Sequence, residues 1–265
     1  MTSSDAPKLA SRPLVELGLG CAWMLGLAAA LHLVDAILGP GALAAAVLGA
    51  VLADLARGRA HVTWDALAPP GQALAFALRQ GLRGAGFGLA AGALAVAASL
   101  ALGWATGLGN GLHVSLSLVF ALVRAVSIAV REEVLFRGIP LEAAARAGVH
   151  PFVARAFASL AGAAPLALIP GAGPGAFFVS AALGLLCATL WQRRGASAAV
   201  AAHTIWFLAI GSMTHGGLLD LDWLRGDLVV GATASGPPAW AAGIVLVLLA
   251  LVVERSRRVA ALTER

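Results

Sequence analysis

The chain has 265 residues, of which 60% are hydrophobic and only 12% are charged, with a formal net charge of +5 at pH 7. Soluble globular domains carry roughly 45–50% apolar and about 25% charged residues, and disordered chains combine low hydrophobicity with high charge. The composition excludes both classes. Since a membrane span takes about 20 apolar residues, the chain has room for up to about eight spans.

The apolar runs predict an all-α, polytopic membrane helical bundle that forms a single membrane domain over residues 1–265. Eight transmembrane helices are expected, at 14–38, 41–55, 84–104, 112–130, 151–169, 175–191, 196–213 and 238–253. The fourth is expected to continue as one helix to Gly138 and Pro140, which end it. Cys21 and Cys187 lie in apolar runs far apart in the sequence and are predicted to be plain buried thiols.

Two local patterns refine this picture. Residues 62–83 mix apolar side chains with Asp65, Arg79 and a Pro-Pro pair, which is typical of a helix lying on the membrane surface. Gly84, Gly88 and Gly92 recur at four-residue spacing and form a stripe that lets two helix backbones approach closely.

The distribution of basic residues predicts how the chain is oriented in the membrane. With the N-terminus in the cytoplasm, all of the 18 Lys and Arg residues except Arg124 and Arg225 fall in cytoplasmic segments or at their borders. Such an asymmetry is the signal that orients membrane proteins, so both termini are expected inside the cell. Because these residues lie at the ends of apolar runs, they are interpreted as topology signals and lipid contacts, and no nucleic-acid partner is expected.

Two places in the sequence could carry chemistry. Glu132 and Glu133 lie at the end of a predicted membrane helix, with Arg137 four residues after Glu133 on the same helical face. His203 lies near the middle of the seventh predicted span. A purely structural interpretation of each place stays open. The glutamates and Arg137 would form a solvated helix end with a simple ion pair, and His203 would only pack against its neighbours. Against it, ionisable side chains at membrane depth are costly and tend to be functional.

These residues resemble a known family. The pattern Glu-Glu-x-x-x-Arg with Phe136 and Gly138, followed by Gly184 and by an Arg-Gly-Ala-Ser segment that leads to His203, is similar to the CPBP family. This is the family of CAAX proteases and bacteriocin-processing enzymes, also called Abi. The resemblance covers about residues 112–213. It implies a multi-span intramembrane endopeptidase of the bacterial inner membrane that acts on a membrane-associated peptide or protein.

The resemblance also implies a role for each residue. The glutamate matching Glu132 would activate water, those matching Glu133 and Arg137 would shape the site, and the histidine matching His203 would hold the water or the oxyanion. A partly desolvated carboxylate can serve as a general base near neutral pH, and an imidazole can donate to a developing oxyanion.

The sequence departs from the family pattern at two positions. A second histidine is expected near Pro165 or Leu166, and an asparagine is expected four residues after His203, where Phe207 stands. A divalent metal such as zinc is implied by the family, but His203 and the two carboxylates are the only plausible ligands left. Two alternatives therefore stay open beside the endopeptidase: a catalytically impaired relative that acts as a membrane binding or scaffold protein, and a small-solute transporter.

Overall fold

The computed structural model is a helical bundle. It describes residues 6–39, 41–107, 116–212, 221–228 and 234–263, with side chains described over 13–39, 41–107, 118–211, 221–228 and 234–256. Within these residues the α-helices are α1 (Ala6–Leu38), α2 (Leu43–Arg59), α3 (Ala73–Ala101), α4 (Leu116–Glu133), α5 (Ile139–Arg146), α6 (Pro151–Ala163), α7 (Pro174–Arg194), α8 (Ala196–Phe207) and α9 (Gly236–Thr263). Shorter helical turns are a π turn at Val134–Gly138, a 3₁₀ turn at Ala164–Leu168 and a second π turn at Leu208–Ser212.

The architecture confirms the predicted all-α membrane bundle. Five helical segments in the described parts of the chain are long and apolar enough to cross a membrane: Pro13–Leu38, Ala73–Ala101, Pro151–Leu168, Pro174–Arg194 and Gly236–Ser256. A shorter apolar helix covers Ala196–Gly211. The expected number of eight spans stays a prediction. The ends of the predicted fourth and seventh spans at 112 and 213 lie outside the described residues.

The bundle has two distinct ends. At one, α2 and α7 finish with Arg57, Arg59, Arg193 and Arg194, and α3 and α8 begin; we call it the arginine end. At the other, which we call the strand end, the strands β1 (Ala105–Gly107) and β2 (Leu221–Trp223) form a small antiparallel pair that the sequence did not predict. At the arginine end, Glu254 of α9 links three helices, because it accepts hydrogen bonds from Arg155 of α6 and Arg193 of α7.

The predicted surface helix at 62–83 is wrong. Residues 60–72 form an irregular loop, and residues 73–83 are the first turns of α3. The physical reason is the Pro69-Pro70-Gly71 run, because proline and glycine interrupt helices and the residue before a proline avoids the helical region. The loop folds back on the bundle, where buried Asp65 accepts hydrogen bonds from the backbone N–H of Ser197, at 2.9 Å, and from the Ser197 hydroxyl. It thereby satisfies one free N–H group at the start of α8.

The fourth span does not end at Gly138 and Pro140 as expected. The chain continues from α4 through the π turn into α5 without leaving the helical region. Pro140 is the second residue of α5 and directly follows the π turn, which interrupts the i→i−4 hydrogen-bond ladder where the proline lacks its N–H. Gly138 is needed because the Trp191 ring lies only 3.0 Å from where its Cβ would be.

Helices α3 and α8 run side by side in the same direction, and the glycine stripe forms their contact. A Cβ at Gly84 would lie 2.0 Å from the carbonyl oxygen of Ala198, and one at Gly88 would lie 2.4 Å from that of Ala202. Gly92 faces the Ala209 side chain at 2.7 Å. The predicted close approach is confirmed, and it fixes the position of the helix that carries His203.

We expect Gly84→Val to lower the free energy of unfolding by roughly 3 kcal/mol, because overpacking of this kind forces backbones apart. The matched control is Gly86→Val, since nothing lies within 4 Å of a Cβ at Gly86. Thermal unfolding of both variants in detergent measures the difference. Equal stability of the two would contradict the close α3–α8 contact.

Candidate functional site

A buried ion-pair network joins α4, the π turn and α8. The Nδ1 atom of His203 lies 2.7 Å from Oε1 of Glu133, and Nη1 of Arg137 lies 3.3 Å from the same oxygen. The Glu133 and His203 side chains are 0% and 1% exposed. A buried carboxylate with two such partners is held in one position, because losing either partner would leave an uncompensated charge.

Glu132 is placed differently from its neighbour. Successive residues on a helix point about 100° apart, so two adjacent glutamates cannot face the same way. The Glu132 side chain is 32% exposed and lines a cavity, and its Oε2 lies 3.7 Å from Nε2 of His203. One imidazole therefore contacts Glu133 through one nitrogen and faces Glu132 through the other.

The π turn and two glycines position Arg137. A π turn widens the helix by one residue, a feature that recurs at functional sites. The Arg137 guanidinium lies against the backbones of α6 and α7, with Nη2 3.0 Å from where a Cβ of Gly162 would be and 2.9 Å from that of Gly184. Gly184 was part of the sequence pattern, whereas Gly162 gave no signal because nothing in the sequence pairs it with an arginine.

The site opens into a cavity of about 510 Å³ that is lined mainly by apolar side chains. Besides Glu132, Arg137 and His203, its described lining includes Leu31, Ile128, Leu183, Trp206 and Phe207. Gly41, Ile169 and Leu228, which belong to loops at the strand end, line it as well. The cavity thus extends from the site toward the strand end.

An apolar cluster packs around the π turn at the arginine end. It comprises Leu27, Leu31, Ala53, Ala60, Val62, Val134, Leu135 and Ile139, with Trp64 and Trp191 against it. The rings of Trp64 and Trp191 meet edge-on at 5.9 Å. None of the described residues that line the cavity comes from the loop 60–72. The loop therefore packs on this cluster without lining the cavity.

The structure brings all four predicted site residues together. Glu132, Glu133, Arg137 and His203 form one connected cluster, and the interpretation of Glu133 and Arg137 as a solvated helix end is wrong because both are buried. Pro165, Leu166 and Phe207, where the family pattern has polar groups, line the same cavity. The Phe207 ring stacks on the His203 ring with 4.8 Å between centroids.

Sequence reasoning missed Cys187 as a neighbour of the site. Cys187 is buried, as predicted, whereas Cys21 is exposed on α1. Together with Glu133 and His203, Cys187 forms a group among the described residues whose donor atoms lie within 4.8 Å of one another. Carboxylate, thiolate and imidazole are all donors that zinc accepts.

The surroundings of this group do not fit a resident metal. Oε1 of Glu133 contacts the His203 ring and the Arg137 guanidinium, and Oε2 is buried without a hydrogen-bond partner among the described residues. An arginine at 3.3 Å supplies the positive charge that compensates the carboxylate, and a divalent cation beside it would be repelled. The residues therefore form an ion-pair network in which Arg137 supplies the compensating positive charge.

Comparison with known proteins supports the resemblance over the core of the chain. Residues 114–209 match the family model described as Rce1-like, type II CAAX prenyl endopeptidase Rce1-like. The match contains all four site residues and is consistent with the CPBP family identified from the motifs. No curated protein and no solved structure matches the chain.

Proposed function

Starting from the match of residues 114–209 to an Rce1-like CAAX prenyl endopeptidase, we propose that this chain is an intramembrane endopeptidase that uses Glu132 to activate water. The observation that carries the proposal is the position of Glu132 and the His203 Nε2 atom, 3.7 Å apart at the wall of one cavity. Cleavage of a membrane-anchored reporter peptide by the purified protein in liposomes tests it. Absence of cleavage would favour a non-catalytic relative.

Glu132 is the group suited to act as the general base. It is the partly exposed carboxylate of the pair, so a water in the cavity can reach it, whereas Glu133 is fully enclosed by protein. Glu132 would take a proton from the water as the oxygen attacks the substrate carbonyl, and it would then deliver that proton to the leaving amine. Positioned proton transfer of this kind typically accelerates a reaction 10²–10⁴-fold.

His203 would hold the water and stabilise the oxyanion. Contact with Glu133 at 2.7 Å favours a proton on Nδ1 and fixes the ring plane, which leaves Nε2 facing Glu132. With a hydrogen on Nε2, the ring can donate a hydrogen bond to negative charge on the substrate oxygen. Glu133 and Arg137 act through His203 and are positioning residues.

The substrate would be a peptide or protein segment that reaches the cavity within the membrane. Apolar walls suit a segment with small or apolar side chains, since polar groups without partners would be costly there. We assign the catalytic core to about residues 112–213 and treat residues 1–265 as a single membrane domain. The other helices support the core, as α3 does by fixing α8.

The chain is proposed to lie in a bacterial inner membrane with both termini in the cytoplasm. The support is the concentration of basic residues at the arginine end, which the charge rule places inside. The strand end, and with it the far end of the cavity, would then face outward. A reporter that works only in the cytoplasm is expected to be active when fused to the C-terminus and silent when inserted after Trp223. The opposite pattern would invert the orientation.

Leu166 and Phe207 are apolar where the family pattern has polar groups, so placing polar side chains there is expected to raise activity. We expect Leu166→His combined with Phe207→Asn to raise the cleavage rate about tenfold or more, because one well-placed oxyanion donor is worth about 10²–10³-fold and the new side chains will be imperfectly placed. Pro165→His with Phe207→Asn is the companion variant, since Pro165 also lines the cavity. Cleavage of the reporter peptide measures the effect.

The matched control for this experiment is Leu168→His, because Leu168 lies on the same 3₁₀ turn but is 85% exposed. It should leave the rate unchanged. If neither double variant exceeds the unmodified protein, the cavity positions of residues 165, 166 and 207 do not mark missing catalytic groups.

A further inference from the structure

A second cavity, of about 350 Å³, lies between α1 and α2, away from the proposed catalytic groups. The residues that line it are Trp23, Gly26, Leu27, Ala30, Leu52, Leu55, Ala56 and Arg59. On both helices the lining positions are spaced by three, one and three residues, which is the pattern of one helical face. The cavity is therefore a groove that follows the two helices, and we call it the α1–α2 groove.

The α1–α2 groove is apolar and open to the outside of the bundle. Leu55 and Trp23 on its walls are 63% and 36% exposed, and nothing lies within 4 Å of a Cβ at Gly26. Seven residues of each helix border it, which corresponds to about 10 Å at a rise of 1.5 Å per residue. Since α1 is long and apolar enough to cross a membrane, the medium that reaches this groove is lipid.

Arg59 places a positive charge at one end of the groove. It is the last residue of α2 and lies at the arginine end. Arg57, two residues earlier, contacts Asp54 at 2.8 Å and also lies over the Trp64 ring. Among the described side chains, no carboxylate forms an ion pair with Arg59. Its guanidinium is thus available to an anion, while the rest of the groove suits an alkyl chain.

We propose that the α1–α2 groove binds an anionic phospholipid, with an acyl chain along the groove and the phosphate at Arg59. An apolar trough with a cation at one end matches the two parts of such a molecule. Guanidinium groups bind phosphate through two parallel hydrogen bonds, and basic residues near the membrane surface attract anionic lipids. The site is separate from the proposed endopeptidase chemistry and does not depend on it.

The lipid would contact the helix that also forms a wall of the larger cavity. Ala28, Leu31 and Asp35 of α1 line the cavity that Glu132 faces, whereas Gly26 and Ala30 line the groove. The two sets are offset by five residues, which places them about 140° apart around the helix. A lipid in the groove therefore supports α1 from the side opposite to the larger cavity.

Photoactivatable phospholipids test this inference with the full-length protein in liposomes. Phosphatidylglycerol and phosphatidylcholine probes carry the same acyl chain with a diazirine, and mass spectrometry maps the labelled residues. We expect the groove residues to be labelled about fivefold more by the phosphatidylglycerol probe, as for one arginine near an anionic headgroup. Arg59→Gln should lower this labelling to the level of the phosphatidylcholine probe. Gly26→Phe should fill the groove and remove the labelling by both probes.

Each variant has a matched control. Arg79→Gln removes an exposed arginine of α3, and Gly18→Phe adds a ring to α1 where nothing lies within 4 Å of a Cβ. Both should keep the labelling and the preference of the unmodified protein, and thermal unfolding checks that all four variants are folded.

Equal labelling of the groove by the two probes in the unmodified protein, or an unchanged preference in Arg59→Gln, would overturn the inference. An unlabelled groove would overturn it as well. If the unlabelled protein is then a dimer that Gly26→Phe dissociates, the occupant of the groove is a second copy of the chain.

Discussion

Replacing Glu132 with alanine is expected to lower kcat/KM for the reporter peptide by 10²–10⁴-fold while leaving the protein folded. The loss follows from the removal of the proposed general base, and its size is that of positioned proton transfer. Folding should survive because Glu132 is partly exposed, and the buried ion pairs of the site belong to Glu133. Glu132→Gln keeps the shape of the side chain and should lose as much activity. The measurement is reporter cleavage in liposomes, with thermal unfolding as the check on folding.

The matched control for Glu132 is Glu142→Ala. Glu142 lies on α5 beside Arg146 and is 38% exposed, so it offers a similar carboxylate outside the cavity. Its removal should change the rate by less than about twofold, as for a surface ion pair of little energetic value. Equal cleavage by the unmodified protein and Glu132→Ala would contradict the role of Glu132.

Replacing His203 with alanine is expected to lower the rate by about 10²–10³-fold, which leaves a trace of activity when Glu132 is intact. The effect should be large in this chain because Leu166 and Phe207 stand where the family pattern has polar groups. Some loss of stability is also expected, because the fully buried Glu133 carboxylate would lose its partner at 2.7 Å.

His150→Ala is the control for His203→Ala, so that an effect on the cleavage rate can be distinguished from an effect on stability. His150→Ala removes an exposed histidine that caps α6 and should leave the rate unchanged. Cleavage is compared at a temperature well below the unfolding midpoint of each variant. If His203→Ala stays folded and cleaves as fast as the unmodified protein, His203 only packs.

The resemblance to the CPBP family predicted which residues meet, but the environments of the two adjacent glutamates needed the structure. Sequence alone placed Glu132, Glu133, Arg137 and His203 in one candidate site. It could not tell which glutamate faces the cavity, because that depends on how α4 is rotated against α8. The contact of Glu133 with His203 and Arg137 fixes the rotation of α4 and leaves Glu132 partly exposed at the cavity.

The close backbone contacts were also only partly predictable from the sequence. The spacing of Gly84, Gly88 and Gly92 predicted a close helix contact, but the partner helix α8 could be identified only in the structure. Gly162 and Arg137 are 25 positions apart with no repeated pattern, so their contact had no signal in the sequence. The loop 60–72 was missed for another reason, since apolar residues that cover a bundle end resemble those of a surface helix.

The polar contacts of the cavity were the least predictable. Asp35 and Arg131 come from helices α1 and α4, and their pairing depends on how these helices pack. Arg124 was noticed in the sequence as a charge within a span, without an indication of what it faces. Its place in the cavity depends on the α1–α2 turn at Gly41, where a positive φ lets the turn pass close to α4.

One measurement tests the central claim most directly: mass spectrometry of the reporter products after incubation with the purified protein in liposomes made up in ¹⁸O-enriched water. Hydrolysis by an activated water places one ¹⁸O atom in the new C-terminal carboxylate. The account predicts this labelled product for the unmodified protein and its loss in Glu132→Gln. An intact reporter with the folded, unmodified protein, or equal labelling with Glu132→Gln, would contradict it.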